Sequence, residues 1–552
     1  MTVAVAAAYG ADTVAITPAE IDIDGLLTAH AVKVFFTRAN GHLPVSAPEF
    51  PALEPLWTAR TEDGCRAREN TPDLMRRNFV GIDCPFDPDC AVTDRYGGFG
   101  ISQNGGSGRA AAVGPFHIKG VGRTALVDPR TEAGHASGGA YLEECVRETI
   151  FSQVFATEFP YGAVPSLAIF LTGVEQHWPE GIIPAKEKKC LLVRPLFLRP
   201  AHFDRALHFR NGEPAEAARD DLRVAAMCTT AVKTWGVDAT AQIFIKTWER
   251  WTEQLAYGYV HRLCHGGSTE SNVALGGALL DFGASTSLPH WAPFVVAEGG
   301  MPTGSEVGNV IRSVIWTAPH LARHVHPSLG TPEFVQAATT ALPTRFGHRV
   351  LFEFLRLMGL TRMQAGVVMN SNQAAAVDES VRAFITRWGR SERPIFAGLD
   401  FKDELLCGRS LWEAREEFPE LADLYTASMG VLSADNASQR LHALRSRFRS
   451  RPRPALFRDS IKRQLHAALD ADDSPAAVDL LICRLVAENI RDPPIEPEDC
   501  AVVGAEGSPS GLRYTLEDTA GSRTTIPMQN GLVGRMADGR GSWEPSFTGD
   551  PA

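Results

Sequence analysis

The chain has 552 residues, of which 44% are hydrophobic, 8% aromatic and 22% charged, and its formal net charge at pH 7 is −11. This composition is typical of a globular protein and excludes a chain that is disordered throughout or built from a collagen-like repeat. The negative net charge disfavours nucleic acid as the main partner.

No window of the sequence offers the roughly 20 uninterrupted apolar residues that a membrane span requires, so we expect no membrane partner. The N-terminal stretch has no basic segment before its short alanine-rich run, which predicts that it is not a signal peptide. The ten cysteines are scattered and form no C-x-x-C pair, which is typical of free thiols in a reducing compartment. We therefore predict a cytoplasmic protein.

The first part of the chain leads to a glycine-dense stretch. Residues 1–90 mix short apolar runs with prolines and polar breaks, and the sequence assigns them no role. Residues 94–110 are rich in glycine and are followed by a strand-like run at 115–120 that carries Lys119. We expect a loop that enters a short strand bearing a lysine.

A helix and a second strand are predicted next. Apolar residues recur at helical spacing from 140 to 155, which predicts an amphipathic helix that carries Glu148. The apolar run at 190–199 predicts a strand region that carries Arg194 and Arg199.

A loop and a hairpin follow a long helical region. The helix that contains Phe244, Trp248 and Trp251 is expected to end near Gly258 and to bury these aromatic residues. After a polar segment, residues 273–280 contain two short apolar runs around Gly-Gly and predict a tight hairpin.

The C-terminal half is predicted to be mostly helical. From about 300 to 490 the apolar spacing is helical, and from 496 the chain is rich in Gly, Pro, Ser and acidic residues, which predicts a flexible tail. Nine Lys and Arg residues lie within 440–463. We interpret them as a solvated surface, with a docking patch for an acidic protein as the alternative.

Taken singly, each polar motif is weak, because a glycine turn, a strand lysine or a helix glutamate is common in any fold. In combination they match phosphoryl and nucleotidyl transfer, which need a loop over the phosphates, a strand lysine held by a helix carboxylate, and oxygen ligands for a divalent metal. The chain has these groups in that order: Gly106 and Gly108, Lys119, Glu148, Asn272 and Asp281.

The metal ligands are the strongest local signal. Asn272 and Asp281 flank the predicted hairpin, which would bring them together, and Asp281-Phe-Gly283 is the D-F-G tripeptide with which protein kinases bind metal. The catalytic-loop aspartate of a kinase is absent, because the loop reads His265-Gly-Gly-Ser-Thr-Glu-Ser-Asn272. We expect His265 to orient this loop.

Five motifs between Tyr96 and Gly283 carry a resemblance to a known family. They are Tyr96-Gly-Gly-Phe-Gly leading to Gly106-Ser-Gly-Arg-Ala110, His117-Ile-Lys-Gly-Val-Gly122, Arg147-Glu-Thr149, Arg194-Pro-Leu-Phe-Leu-Arg-Pro200, and His265 to Asn272 followed by Asp281-Phe-Gly283. With these motifs, over about a third of its length, the chain resembles the selenoprotein O family. Members of that family have a protein-kinase-like fold and transfer AMP from ATP to hydroxyl side chains of proteins.

The resemblance implies an α+β, bilobal, protein-kinase-like fold with helical C-terminal additions. The expected units are an N-terminal region of unclear role at 1–90, an N-lobe at 91–200, a C-lobe at 201–300, a helical part at 301–495 and a flexible tail at 496–552.

The resemblance also implies site residues. The residues that would contact the nucleotide are Gly106, Gly108, Arg109 and Gly138. Lys119 would contact phosphate and pair with Glu148, while Arg194 and Arg199 would hold ATP in an inverted orientation. The ligands of Mg²⁺ or Mn²⁺ would be Asn272 and Asp281. Inversion of the nucleotide would present the α-phosphate to the acceptor, so that AMP is transferred and pyrophosphate leaves. The implied partners are ATP and a protein or peptide acceptor.

Two departures from the family pattern affect this interpretation. The family's proposed proton acceptor, an aspartate, is replaced by Ser271, which we expect to face the acceptor while the neighbouring Glu270 points away. The C-terminal redox motif is also absent, since Cys500 has no partner in the sequence. Two alternatives to a protein adenylyltransferase therefore stay open: a catalytically weak nucleotide-binding regulator, and a tailoring enzyme that adenylates a small molecule or peptide.

Overall fold

A computed structural model describes residues 21–38, 50–78, 91–98, 105–127, 133–178, 186–206, 220–297, 300–388, 395–396, 405–432, 435–492, 498–508 and 511–527. Helices and strands are mixed along the chain, so the predicted α+β class is confirmed at this level.

An antiparallel sheet of seven strands lies in the first half of the chain. Its strands are β1 (Glu54–Thr58), β2 (Val92–Thr93), β3 (Ala110–Val113), β4 (Phe116–Lys119), β5 (Ala140–Tyr141), β6 (Ala168–His177) and β7 (Lys186–Pro195). The strand order is β1-β6-β7-β4-β3-β2, and β5 also pairs with β7. Since β1 belongs to this sheet, the boundary that we predicted at residue 90 cuts through one structural layer.

The remaining described strands form three small sheets. They are β8 (Leu263–Cys264) with β9 (Thr286–Ser287), β10 (Phe294–Val295) with β11 (Ile395–Phe396), and β12 (Cys500–Ser508), β13 (Gly511–Asp518) and β14 (Arg523–Pro527) in one antiparallel sheet. The prediction of a flexible tail from residue 496 is therefore wrong for 500–508 and 511–527. This sheet packs on the helices before it, and Tyr514 is fully buried. Residues 528–552 of the predicted tail lie outside the described residues.

The helices in the first half are α1 (Ile23–Leu26), α2 (Ala29–Arg38), α3 (Glu62–Asn78), α4 (Ala133–Ala136), α5 (Leu142–Glu158), α6 (Asp220–Trp235) and α7 (Val237–Val260). Those in the second half are α8 (Val307–His324), α9 (Pro332–Leu357), α10 (Arg362–Met369), α11 (Ala374–Trp388), α12 (Leu411–Ala414), α13 (Pro419–Leu432), α14 (Asn436–Arg449), α15 (Arg458–Ala471) and α16 (Pro475–Asn489). Within the described ranges, none of these helices combines the length and the apolar character that crossing a bilayer requires.

The two faces of the seven-stranded sheet are covered by different helices. Successive strand residues point to opposite faces, so Ile118 and Val193 pack with Leu74 of α3, whereas Leu192 packs with Cys145 and other residues of α5. Lys119 alternates with Ile118 and therefore lies on the α5 face. The α5 face carries the charged side chains of the candidate site.

The long helix α7 supplies much of the core, as the sequence predicts. Phe244, Trp248 and Trp251 are at most 1% exposed. The two indole N–H groups donate to serine hydroxyls, Trp248 to Ser313 at 3.2 Å and Trp251 to Ser268 at 2.8 Å. Buried indole N–H groups need a hydrogen-bond partner. Because Ser268 lies in the loop that contains Asn272, the bond from Trp251 connects α7 to that loop.

The basic run at 440–463 is a solvated surface only in part: Arg440, Arg447 and Lys462 have side chains 39–48% exposed, whereas three other arginines are buried. Arg445, Arg449 and Arg453 are 3–4% exposed and are engaged in hydrogen bonds inside the protein. Arg449 donates to the carbonyl of Leu360 at 2.8 Å. The prediction is wrong for these three arginines, because charge density in a sequence does not distinguish solvated arginines from those that satisfy buried carbonyls and carboxylates.

A buried ion-pair group in the C-terminal half provides a test of this packing. Asp492 is 2% exposed and accepts from Arg356 at 2.5 Å and Arg362 at 3.3 Å. Asp492→Asn leaves the buried guanidinium group of Arg356 without its counter-charge, so we expect it to lower the free energy of unfolding by about 3–5 kcal/mol in urea titrations.

The matched control is Asp378→Asn, which removes an exposed ion pair with Arg382 of 2.7 Å on α11. The control should change the free energy of unfolding by less than about 0.5 kcal/mol. Equal effects of the two substitutions would contradict a stabilising role of the Asp492 group.

Candidate functional site

The candidate site begins with two strands that present basic side chains to α5. In the register of β4 and β7, His117 lies opposite Arg194 and Lys119 lies opposite Leu192. His117, Lys119 and Arg194 therefore share one face of the sheet. Helix α5 crosses that face and brings Glu148 against it.

Lys119 is surrounded by carboxylates. Its Nζ donates to Glu148 Oε1, lies 2.8 Å from Glu144 Oε1, and is 3.3 Å from Asp281 Oδ1. Arg194 donates to the other carboxylate oxygen of Glu148. Burial lowers the pKa of Lys119, but the three carboxylates outweigh burial and raise that pKa above its usual value. The lysine is therefore a fixed positive charge at neutral pH.

Arg109 joins the same group through a carboxylate that the sequence analysis did not identify. Its guanidinium binds Glu144 in a bidentate manner, at 2.6 and 3.0 Å, and donates to the carbonyl of Gly139 at 2.8 Å. Glu144 lies one turn before Glu148 on α5, so both carboxylates point to the same side of the helix. This i, i+4 spacing is the signal that could have identified it.

Asp281 reaches Lys119 from a loop with an unusual backbone. Its φ angle is +63°, in the left-handed region, and Phe282 is buried against Phe155 of α5, with ring centroids 5.1 Å apart. Burial raises the pKa of the Asp281 carboxyl, but Lys119, Arg194 and Arg109 outweigh it and hold that pKa well below its usual range. The anchored phenylalanine thus holds an ionised carboxylate beside Lys119.

The turn between Asn272 and Asp281 has the predicted hairpin form. Leu280 N–H donates to the Asn272 carbonyl at 3.1 Å, and Val273 and Leu279 form an antiparallel bridge. His265 donates from Nε2 to the Leu280 carbonyl at 2.9 Å. This bond gives His265 the orienting role that the sequence predicts.

The three predicted nucleotide-binding glycines are required by a left-handed backbone and by close packing. Gly106, Gly108 and Gly138 have φ angles of +66°, +73° and +74°. A Cβ atom would lie 2.4 Å from the Asp94 carbonyl at Gly106 and 2.0 Å from the Arg123 nitrogen at Gly138. This packing is a sufficient reason for glycine at these positions.

Arg199 belongs to a second buried group, centred on Asp94. Asp94 accepts from Arg199 at 2.7 Å, from His202 at 2.8 Å and from His117 at 3.0 Å, and Arg199 also donates to the Ser271 carbonyl at 2.6 Å. Burial lowers the pKa of both histidines to about 4, so they are neutral donors at pH 7. Asp94 is not predictable from the sequence, because a single aspartate before a glycine-rich stretch carries no signal of its own.

Ser271 and Glu270 are both buried. The Ser271 hydroxyl lies 2.8 Å from that of Thr269, and the side chain of Glu270 lies against Gly98, where a Cβ atom would be 2.4 Å from Oε1. Glu270 also raises the pKa of Asp204, in addition to the larger effect of burial. Glu270 therefore faces Gly98 and Asp204.

The structure thus brings five predicted residues into one group and places the others around it. Arg109, Lys119, Glu148, Arg194 and Asp281 meet on the α5 face of the sheet. Arg199 and Ser271 belong to the Asp94 group, and Asn272 lies at the start of the turn that leads to Asp281.

The turn presents an amide oxygen and a carboxylate, which are the types of ligand that a hard divalent cation prefers. Asn272 Nδ2 donates to the Gly267 carbonyl at 2.7 Å, so Oδ1 is the atom that could act as a ligand, and Asp281 is ionised and 26% exposed. Among the described residues, no three His, Cys, Asp or Glu side chains form a group suited to a metal ion. Mg²⁺ and Mn²⁺ accept such sparse protein ligation when water and phosphate complete it.

Comparison with known protein families and with curated proteins gives no match to this chain.

Behind the loop that starts at His265 lies a small cavity. Its lining includes Tyr259, Cys264, His265 and Glu306. Glu306 is 6% exposed, and burial raises its pKa from 4.5 to about 8. The carboxyl is therefore largely protonated at neutral pH.

This raised pKa predicts a pH-dependent stability. Because Glu306 binds its proton more tightly in the folded state, it stabilises the fold fully below about pH 4.5, and this contribution is lost as the pH rises through 8. Glu306→Gln mimics the protonated form, so it should leave the free energy of unfolding near the wild-type value at pH 5 and exceed it by about 2 kcal/mol or more at pH 9.

The measurement is urea unfolding of both proteins at the two pH values. Glu379→Gln, at an exposed position of α11, is the control and should show no such divergence. A difference between Glu306→Gln and wild type that is the same at pH 5 and pH 9 would contradict the proposed protonation.

Proposed function

We propose that the protein is an ATP-dependent nucleotidyltransferase with a bilobal, protein-kinase-like fold, which moves AMP from ATP to a hydroxyl acceptor on a protein or peptide. The observation that carries this proposal is the position of Lys119 between Glu148 and Asp281. Kinase-like enzymes require a strand lysine held by a helix glutamate, beside a metal-binding aspartate. The resemblance to the selenoprotein O family is the reason for proposing transfer of AMP instead of phosphate.

The basic residues have separate roles in this proposal. Lys119 and Arg109 bind the phosphate chain, and Arg194 holds Glu148 and orients the nucleotide from the neighbouring strand. Arg199 supports the loop through the Ser271 carbonyl. Arginine suits phosphate because its planar fork can donate two parallel hydrogen bonds.

Asn272 and Asp281 would hold Mg²⁺ or Mn²⁺. A bound divalent cation would neutralise phosphate charge and favour departure of pyrophosphate. In the reaction, the acceptor oxygen bonds to the α-phosphorus, the bond from that phosphorus to the β-phosphate oxygen breaks, and the acceptor loses its proton. Positioning and charge stabilisation by the fixed cations supply most of the catalysis.

The site has no evident general base to remove the proton from the acceptor hydroxyl. Ser271 stands where a carboxylate would serve as base, and a serine hydroxyl is no general base near neutral pH. Its hydroxyl is already hydrogen bonded to Thr269. This observation favours a second candidate function, a nucleotide-binding regulator with weak or no transfer activity.

ATP labelled at either the α- or the γ-phosphate separates these functions when it is incubated with the protein, Mg²⁺ or Mn²⁺, and candidate acceptors. We expect label to be retained only from the α-position. Retention only from the γ-position would identify a phosphotransferase, and retention from neither position would favour the regulator.

Asp281→Asn is the control for the site, because it keeps the size of the side chain but removes its charge. It should reduce metal-dependent ATP binding and AMP transfer about tenfold or more.

A substitution at Ser271 tests the missing base. Ser271→Asp restores a proton acceptor, so we expect the rate of AMP transfer to a hydroxyl to rise about tenfold to a hundredfold. Ser271→Asn has nearly the same size without basicity and is the matched control, which should give no rise. If both variants change the rate equally, the proton is not taken at this position, and an acceptor that is already ionised, as for a tailoring enzyme, is favoured.

A further inference from the structure

Glu144 holds the two cations that an anionic ligand would need. Its carboxylate is 2.6 and 3.0 Å from the Arg109 guanidinium nitrogens and 2.8 Å from Lys119 Nζ. A planar carboxylate that binds arginine with both oxygens has the geometry that a phosphate group uses for the same guanidinium. Glu144 therefore occupies the position of a ligand oxyanion.

The cations lie behind their carboxylates. Arg109 and Lys119 side chains are 3% and 5% exposed, whereas Glu144 and Asp281 side chains are 17% and 26% exposed. An oxyanion that approaches from solvent meets negative charge first. It can reach Arg109 and Lys119 together only when one of these carboxylates leaves.

The charges of the group balance without a ligand. Arg109, Lys119 and Arg194 oppose an equal number of carboxylates, from Glu144, Glu148 and Asp281. Addition of phosphate to this balanced group places surplus negative charge in a poorly solvated site, which is unfavourable. Departure of one carboxylate removes the surplus.

Of the two glutamates on α5, Glu144 is the one that can leave. Glu148 is 1% exposed and is held by Lys119 and Arg194 together, whereas Glu144 is partly exposed and lies in the first turn of the helix. Rotation of its side chain would carry the carboxylate toward solvent without any movement of the backbone. Asp281 has the shorter side chain, with one rotatable bond fewer, so rotation moves its carboxylate less far from the two cations.

We infer that Glu144 is an exchangeable internal counter-ion, which neutralises Arg109 and Lys119 in the free protein and is displaced by the phosphate chain of the ligand. This inference rests on the proposed function for the identity of the ligand as a nucleotide. In this role Glu144 controls the affinity of the protein for its ligand. The Glu144 carboxylate competes with phosphate and selects ligands with enough negative charge to replace it.

The test compares Glu144→Gln with wild type by titration calorimetry, with Mg·ATP and with inorganic triphosphate without metal as separate probes. We expect Glu144→Gln to bind triphosphate about tenfold more tightly, because the competing charge is gone while the side-chain size is kept. Glu143→Gln is the matched control: Glu143 is adjacent on α5 but pairs with Arg147 and Lys462, so triphosphate affinity should not change.

Thermal unfolding establishes that each variant is folded. If Glu144→Gln does not fold, Glu144→Asp replaces it, because the shortened carboxylate can no longer reach both cations, and it should also bind triphosphate more tightly. Unchanged or weaker triphosphate binding by a folded Glu144 variant would overturn the inference. Tighter triphosphate binding without ATP binding by any of the proteins would support the counter-ion role and overturn the proposed nucleotide.

Discussion

The structure of the candidate site depends on one constraint: charges that are removed from water must be paired. Six charged side chains meet on the α5 face of the sheet, and few of them reach solvent. An unpaired charge in such a place costs several kcal/mol. Three features of the fold therefore depend on one another: the register of β4 and β7, the position of α5 and the left-handed backbone of Asp281. Each of them places a charged side chain beside one of opposite charge that another feature supplies.

Local patterns in the sequence predict the elements that carry the central pair of this group. Apolar spacing predicts the short strand with Lys119 and the helix with Glu148. The tight turn after Asn272 likewise follows from its glycines. The pairing of Lys119 with Glu148 has no such local signal, and its prediction comes from the order of the motifs, which matches the strand lysine and helix carboxylate of kinase-like enzymes.

The residues that the sequence does not predict act through long-range contacts. Asp94 gathers His117, Arg199 and His202, which are 23, 105 and 108 positions away along the chain. The C-terminal sheet is a similar case, because its glycine-rich, polar composition is that of a mobile segment and its order comes from packing on α14 and α16. Neither the Asp94 group nor the packing of the C-terminal sheet produces a periodic pattern in the sequence from which it could be predicted.

Helix α5 is fixed at both ends, and this has a mechanical consequence. Its first turns meet Arg109 and Lys119, while its last residue, Glu158, accepts from Arg453 at 2.9 Å and from the backbone N–H of Arg491. A helix of this length behaves as a stiff rod over short distances. A displacement of one end of α5 would therefore strain the hydrogen bonds at its other end, so the helix couples the cation group mechanically to the segments that contain Arg453 and Arg491.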